Sequence, residues 1–119
     1  MSWEVYACVQ ALGRSGKLRD DIFITTKIHP QDLGYQPTMS AFENSLTAFN
    51  TDYLDLVLLH YAACFGSLCA NHPQGTWRES WRALEDAVTA GRILAIGVLL
   101  VAHPLDVLLS ESTAGSCKA

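Results

Sequence analysis

Three stretches of nearly continuous apolar residues divide the chain, and each has the length of a buried strand. They are DIFITTK (21–27), LDLVLLH (54–60) and ILAIGVLLV (93–101). A strand that is apolar on both faces is typical of a parallel sheet that helices cover. The pattern therefore predicts three buried strands.

Helical patterns alternate with these strands. The first helix, WEVYACVQALGRSG, precedes the first strand. The second begins near Ser40, where S-A-F-E has the spacing of a capping box, and its apolar face consists of Met39, Phe42, Leu46 and Phe49. The third begins at Thr76 with T-W-R-E, ends at Gly91, and has an apolar stripe of Trp77, Trp81, Leu84 and Val88. The order α-β-α-β-α-β predicts an α/β fold with parallel strands and right-handed crossovers.

Two of the predicted strands end on a basic side chain. Lys27 closes the first strand and His60 closes the second, and a long loop, YAACFGSLCANHPQG, follows His60. Adjacent parallel strands hold such groups over the same rim, which is the functional side of parallel α/β folds. A lysine there can lower the pKa of a neighbouring acid and an imidazole can polarise a carbonyl, which predicts a site for carbonyl chemistry. The simpler alternative is that Lys27 is only the first solvated residue after its strand and that His60 only hydrogen-bonds a loop.

Composition and charge narrow the classes of function. The chain has 119 residues, of which 50% are hydrophobic, and a formal net charge of −4. Its basic residues form no stripe that could follow the phosphate backbone of a nucleic acid. The longest apolar run, residues 93–102, is half as long as the ~20-residue segment that crosses a bilayer. The N-terminus lacks the pattern of a secretory signal. We therefore expect a cytoplasmic protein with no membrane or nucleic-acid partner, in which four cysteines are unpaired thiols: Cys8, Cys64, Cys69 and Cys117.

Three long segments, taken together, resemble a known enzyme family. DDIFITTKIHP, SLTAFNTDYLDLVLLHY and GTWRESWRALEDAVTAGRILAIGV, in this order and spacing, resemble the middle of an aldo-keto reductase. The resemblance covers residues 4–98. It implies a partial TIM (β/α)8 barrel, to which this chain contributes about three βα units of the eight.

The resemblance also implies an activity, the reduction of small aldehydes or ketones by hydride transfer from NADPH without a metal. In this family a tyrosine protonates the carbonyl oxygen, a lysine paired with an aspartate lowers the pKa of that tyrosine, and a histidine orients the substrate. By the match to FITTK and LLHY, the catalytic lysine and histidine are Lys27 and His60. The resemblance assigns NADP(H) as the cofactor but no residue that binds it.

The beginning of the chain departs from the family pattern. Met1 stands where the alignment of Glu4 places the family's tyrosine, and the aspartate has no counterpart. Tyr6 lies beyond Glu4, inside the predicted first helix, and is not assigned the role of the proton donor.

The sequence after the third strand departs as well. The family continues G-V-S-N-F, with a serine and an asparagine that hold the nicotinamide, whereas this chain continues Gly97-Val98-Leu99-Leu100-Val101. We therefore expect a truncated product of a longer gene. Its partial aldo-keto reductase domain would be residues 1–98, its divergent C-terminal tail residues 99–119, and its activity impaired.

Two other classes of function fit parts of the sequence. The first is a non-catalytic barrel fragment, an interaction or regulatory protein that associates with a full-length relative or a chaperone through its open sheet edges. The second is a small zinc-binding module, for which the possible ligands form H-x3-C-x4-C-x2-H: His60, Cys64, Cys69 and His72. That spacing is unusual for a structural zinc site, and we expect no metal.

Overall fold

In a computed structural model, the chain forms a mainly parallel sheet with helices packed against one face. The structure describes residues 3–61, 63–64, 67, 69–99 and 115–118. The helices are α1 (Trp3–Ser15), α2 (Tyr35–Phe49) and α3 (Trp77–Thr89), with short 3-10 turns at Arg19–Asp21 and Pro30–Asp32. The strands are β1 (Phe23–Ile28), β2 (Leu54–Leu59), β3 (Ile93–Val98) and β4 (Gly115–Lys118). The predicted alternation is confirmed from α1 to β3. None of the helices among the described residues has the length and apolar composition of a membrane-spanning segment.

The sheet has four strands in the order β3-β2-β1-β4. β1 and β2 are parallel, with Lys27 opposite Leu58, and β2 and β3 are also parallel, with Leu58 opposite Gly97. β4 pairs with β1 in the antiparallel direction, and the sequence patterns did not predict this strand. The predicted tail, residues 99–119, lies mostly outside the described residues, which include only Leu99 and β4 from it.

The hydrophobic core lies between the sheet and the helices α2 and α3. It is formed by buried side chains of the strands and helices, including Ile24, Ile28, Phe42, Leu46, Phe49, Val57, Leu59, Leu84 and Ala87. The predicted apolar face of α2 is therefore confirmed, with Met39 partly buried against the core. Removing this apolar surface from water stabilises the fold by roughly 25 cal/mol per Å² buried.

The predicted stripe of α3 is wrong in part. Trp77 and Val88 are each 37% exposed, and the residues that α3 buries are Ser80, Ala83, Leu84 and Ala87. The physical reason is a polar contact: the Ser80 hydroxyl accepts hydrogen bonds from the backbone N–H of Gly34 at 2.9 Å and from the Thr38 hydroxyl at 2.7 Å. Ser80, Ala83 and Ala87 on the buried side of α3 are small, so α3 can approach α2 closely enough to make these bonds.

The predicted starts of α1 and α3 are confirmed, and the predicted start of α2 is wrong. Thr76 and Glu79 form the predicted capping box at the start of α3. α2 begins at Tyr35 rather than near Ser40, and its N-cap is Gly34, which has a φ of 122°. Glycine is favoured at Gly34 because a φ of 122° is a conformation that L side chains rarely adopt. Gly75 must also be a glycine, because a Cβ atom there would lie 2.6 Å from the Gly34 Cα atom, so the two backbones touch. This contact joins the loop after β1 to the loop after β2.

Candidate functional site

Lys27 and His60 lie on the same side of the sheet, at the carboxyl ends of β1 and β2. Lys27 is opposite Leu58 in the parallel register, and paired residues of parallel strands point to the same face. His60 follows Leu58 by two residues, and its backbone N–H donates to the Ile28 carbonyl at 3.0 Å, which continues the strand pairing. Because side chains alternate along a strand, Lys27, Leu58 and His60 share one face, with the Cα atoms of Lys27 and His60 ~8 Å apart by strand geometry.

The face with Lys27 and His60 is the one that α2 and α3 do not cover. The opposite face of the same strands carries Ile28 and Leu59, which belong to the helix-covered core. In a barrel, the face away from the helices is the interior. Lys27 is half-buried there, and His60 is only 4% exposed. A substrate at this rim would therefore contact Lys27, which is partly solvent-accessible, and His60, which is almost fully buried.

The His60 imidazole is held by the ring of the next residue. The rings of His60 and Tyr61 are stacked, with their centroids 4.2 Å apart and an angle of 18° between their planes. Tyr61 is 1% exposed. Two buried, stacked rings have little rotational freedom, so the direction of the imidazole nitrogens is fixed by packing.

The loops after β1 and β2 are fastened to each other around this rim. The Gln31 side chain donates to the Asn71 carbonyl at 2.9 Å and accepts from the Asn71 N–H at 3.2 Å. Gly75 N–H donates to the Leu33 carbonyl at 3.0 Å. No sequence pattern pointed to Gln31 or Asn71, because they are 40 residues apart and meet only in the fold.

His29 is a turn residue, as its place before a proline indicates. Its Nδ1 atom accepts from the Gln31 N–H at 3.0 Å and caps the 3-10 turn Pro30–Asp32. Burial raises the pKa of Asp32 in this turn, and the nearby His29 opposes that rise. The turn thus orients Gln31 toward the loop after β2.

The prediction that the cysteines are unpaired thiols is wrong for Cys8, Cys64 and Cys69. Cys64 and Cys69 form a disulfide in the loop after β2, and Cys8 is also disulfide-bonded. Sulfur atoms that are bonded to each other cannot act as zinc thiolates. Among the described residues, no three His, Cys, Asp or Glu side chains are grouped so that they could hold a metal ion. The zinc-module alternative therefore has no support in this part of the chain.

The rim above β3 is apolar where the family pattern has a serine. Leu99 follows β3, is half-buried, and its N–H donates to the Leu59 carbonyl at 2.9 Å. A leucine side chain offers neither a donor nor an acceptor to the carboxamide of a nicotinamide. At this position, the described residues do not fit the cofactor NADP(H).

A groove of about 500 Å³ lies at the opposite end of the strands. It is lined by Glu43, Leu46, Thr47, Asn50, Thr51, Asp52 and Arg92. Asn50 to Asp52 precede β2, and Arg92 precedes β3, so the groove is far from the rim with Lys27 and His60. The Arg92 guanidinium is paired there with Glu43 at 2.5 Å, which lowers the pKa of Glu43. In barrels, this amino-terminal end is associated with stability rather than with chemistry.

Comparison with known proteins places this arrangement in a family. The sequence model of the aldo/keto reductase family matches residues 4–102. The chain is 38% identical over 99 residues to the glyoxal reductase of Bacillus subtilis, covering 82% of this chain and 32% of that protein. The chain belongs to the aldo/keto reductase family.

Solved structures confirm the fold. The crystal structure of an aldo/keto reductase from Brucella melitensis matches with a TM-score of 0.68 and 36% identity, over 91% of this chain and 40% of that one. A Bombyx mori aldo-keto reductase, solved in complex with NADP, matches with a TM-score of 0.63 and 25% identity, over 80% of this chain and 31% of that one. The fold is therefore part of a TIM barrel. The chain spans between 28% and 32% of the length of the curated relatives that it matches.

Proposed function

We propose that this chain forms the carbonyl-binding side of an NADP-dependent aldo-keto reductase site, which acts on a small aldehyde or ketone. The observation that carries this proposal is the position of Lys27 and His60 on the inner face of a partial barrel, at the carboxyl ends of adjacent parallel strands. Family membership supports it, since the match to the family model includes both residues. The roles of Lys27 and His60 as catalytic residues are part of the proposal.

His60 orients the substrate in the proposed site. A fixed imidazole nitrogen can hydrogen-bond to a carbonyl oxygen and polarise it, and the stacked Tyr61 ring keeps that direction constant. Because His60 is almost fully buried, the hydrogen bond would form in a region with little water, where it is stronger than at an exposed position.

Lys27 supplies positive charge beside the carbonyl. Its ammonium group lowers the pKa of the acid that protonates the carbonyl oxygen. In the family pattern this acid is a tyrosine, and Met1 stands at its aligned position here. Loss of a general acid costs roughly 10²- to 10⁴-fold in rate, so we expect turnover by this chain alone to be impaired by at least that factor.

NADPH would supply the hydride in the family's reaction. Leu99 does not fit the nicotinamide at the one rim position of the family's cofactor site that the described residues include. We therefore assign this chain the carbonyl side of the reaction alone. Residues 1–98 form the partial reductase domain in this proposal, and residues 99–119 are a divergent tail. We also propose a cytoplasmic location.

A chimeric enzyme tests the roles of Lys27 and His60 within a complete barrel. Residues 4–98 would replace the matching segment of the Bacillus subtilis glyoxal reductase, so that the relative provides the remaining strands. We expect NADPH-dependent reduction of glyoxal, with kcat/KM lowered by roughly 10²-fold or more by Lys27→Met and by His60→Ala. A folded chimera that keeps full activity with either substitution would contradict the proposed role of that residue.

Matched controls come from the same chain. Lys17 and His72 are exposed and neither belongs to a strand, so Lys17→Met and His72→Ala should leave kcat/KM of the chimera unchanged. For the chain alone, NADPH binding followed by fluorescence beside a size-exclusion profile is the direct measurement. Saturable binding by a folded monomer would show that a cofactor site is completed in spite of Leu99.

One observation favours the second function, a non-catalytic barrel fragment that associates with a relative. β3 is one of the two edge strands of the described sheet, and its side chains Leu94 and Val98 are 62% and 45% exposed. An exposed apolar edge strand is a template for pairing with another chain. Co-elution with a full-length aldo-keto reductase, abolished by Leu94→Lys, is the result that this function requires. Elution as two separate species would exclude it.

A further inference from the structure

The Cys64–Cys69 disulfide lies in the loop directly after the proposed substrate-orienting residue. Cys64 follows Tyr61 by three positions, and the disulfide holds the Cα atoms of Cys64 and Cys69 5.9 Å apart across five residue steps. Both cysteines are half-buried, whereas Ala63, Ser67 and Ala70 beside them are exposed. A small thiol in solution can therefore approach this disulfide, unlike one enclosed in a core.

The loop is fastened on both sides of the disulfide. On one side, His60 N–H bonds to the Ile28 carbonyl at 3.0 Å, and Tyr61 stacks on His60. On the other side, Asn71 exchanges two hydrogen bonds with the Gln31 side chain. A change in the distance between Cys64 and Cys69 would therefore be transmitted to two segments that contact the rim, one through His60 and the other through Asn71.

Reduction changes how far the chain between the two cysteines can extend. Five steps of an extended chain span up to about 17 Å, compared with 5.9 Å between the Cα atoms in the disulfide. The disulfide thus keeps the segment that ends at Cys64 and the segment that begins at Cys69 at a fixed distance from each other. Reduction removes this restraint. His60 and Tyr61 belong to the segment that ends at Cys64.

We propose that Cys64 and Cys69 form a thiol–disulfide exchange site for small thiols such as glutathione, and that its redox state is transmitted to the His60–Tyr61 stack. In the first step, a glutathione thiolate attacks one cysteine sulfur, which breaks the Cys64–Cys69 bond, forms a mixed disulfide and releases the other cysteine as a thiolate. In the second step, another glutathione thiolate attacks the glutathione sulfur of the mixed disulfide. The products are two cysteine thiols, which take up the two thiol protons, and one glutathione disulfide.

This inference goes beyond the proposed carbonyl function, because neither the exchange nor its effect on His60 requires a cofactor, a substrate or turnover. Disulfides in reducing compartments are mostly redox-sensing or catalytic, and this one is next to a candidate catalytic residue rather than in the core. Thiol–disulfide exchange at this site would give the rim two states. In the disulfide state the segment from His60 to Cys64 is restrained, and in the dithiol state it is not.

The test uses the purified full chain in glutathione buffers that range from fully reduced to fully oxidised. Free thiols are trapped with N-ethylmaleimide, and mass spectrometry of peptides gives the fraction of Cys64–Cys69 that is paired. In the same samples, amide hydrogen exchange is measured over residues 60–71. We expect the pair to switch within this range and exchange over residues 60–61 to be at least about tenfold faster in the reduced chain.

The double variant Cys64→Ser/Cys69→Ser is the matched control. It should show the faster exchange over residues 60–61 in every buffer, while α3 keeps the protection that it has in the parent chain. Three results would overturn the proposal: a pair that stays reduced or stays oxidised throughout the range, a pair that switches without any change over residues 60–61, or a change that extends equally to α3. These three measurements do not depend on NADPH binding. The proposed function and the proposed exchange site can therefore fail independently of each other.

Discussion

Asp55 is a buried carboxylate at the amino end of β2, and its contacts indicate a role in stability. One oxygen, Oδ2, accepts hydrogen bonds from the Arg19 guanidinium and from the Ile24 backbone N–H, both at 2.8 Å. Arg19 also donates to the Tyr53 carbonyl at 2.8 Å and lies 3.9 Å above the Tyr53 ring. These bonds join the turn before β1 to the start of β2.

Replacing Asp55 with alanine should destabilise the fold strongly. Asp55→Ala leaves Arg19 and the Ile24 N–H without their carboxylate partner, and losing one member of a buried ion pair costs about 3–5 kcal/mol. The side chains of Arg19 and Asp55 are 23% and 11% exposed, so solvent screening reduces our expectation to about 2–3 kcal/mol. The free energy of unfolding from chemical denaturation measures this loss.

The Glu43–Arg92 pair provides the control for this substitution. Its side chains are 50% and 33% exposed, although the two groups are in contact. Exposed pairs contribute about 0–1 kcal/mol, so Glu43→Ala should change the free energy of unfolding by less than ~1 kcal/mol. Equal losses for Asp55→Ala and Glu43→Ala would show that burial does not set the strength of the Asp55 contacts.

Asp32 should make stability depend on pH in the direction opposite to a salt-bridged acid. Its pKa is raised above the ordinary 3.8, mainly by burial, so the folded chain binds the Asp32 proton more tightly than the unfolded chain does. The resulting stabilisation is complete below pH 3.8 and is lost as the pH rises through the higher folded pKa. Asp32→Asn should therefore gain stability relative to the parent chain as the pH rises through this window. Unfolding curves of both chains at a series of pH values test this, and a gain that appears only in acid would contradict it.

At the scale of a single element, the two S/T-x-x-E sequences behave differently. At the start of α3, the Thr76 N–H donates to Glu79 Oε1 at 2.9 Å, and the Thr76 hydroxyl accepts from the Glu79 N–H at 3.4 Å. Thr76→Ala should therefore cost about 1 kcal/mol. Ser40 lies inside α2, where alanine is the better helix former, so Ser40→Ala should be neutral or stabilise by up to ~0.5 kcal/mol. Thermal unfolding of both variants measures the difference, and similar losses would contradict the assigned start of α2.

The start of α2 shows why a local pattern can be insufficient. The spacing between Ser40 and Glu43 satisfies the capping-box rule, but Pro37 is acceptable in the first turn of a helix, where its missing N–H loses no bond. The helix therefore extends back to Gly34, whose position depends on Gly75 and Ser80. Those contacts come from residues more than 40 positions away, and no window around Ser40 contains them.

The positions of the strands, by contrast, could be predicted from hydrophobicity alone. β1, β2 and β3 coincide with the three apolar stretches, and their parallel order follows from the helices between them. The rim position of Lys27 and His60 follows from the ends of those strands. The bond between Cys64 and Cys69 could not be predicted, because their five-residue spacing alone does not show that the loop brings their Cα atoms to 5.9 Å. The pairing of β4 with β1 is long-range and is not visible in any local pattern. A residue such as Ser80 is buried by its contacts rather than by its hydrophobicity.

At the scale of the whole molecule, the sheet is open where a barrel would continue. The chain spans 28% to 32% of its curated relatives, and within its described residues no strand pairs with the outer side of β3. A TIM barrel buries both faces and both edges of each strand. The described part therefore presents to solvent an edge that is internal in the complete fold.

This edge should make the chain associate with itself as its concentration rises. Leu94, which is 62% exposed, is an apolar side chain on a strand that is at the edge of the described sheet, and a lysine at an edge strand opposes pairing by charge. Leu94→Lys should therefore lower the average mass measured by sedimentation velocity at high concentration, with little change in the free energy of unfolding. Leu18 is 73% exposed but lies outside the sheet, so Leu18→Lys should associate like the parent chain. If both substitutions reduce association equally, general surface hydrophobicity rather than the β3 edge is responsible.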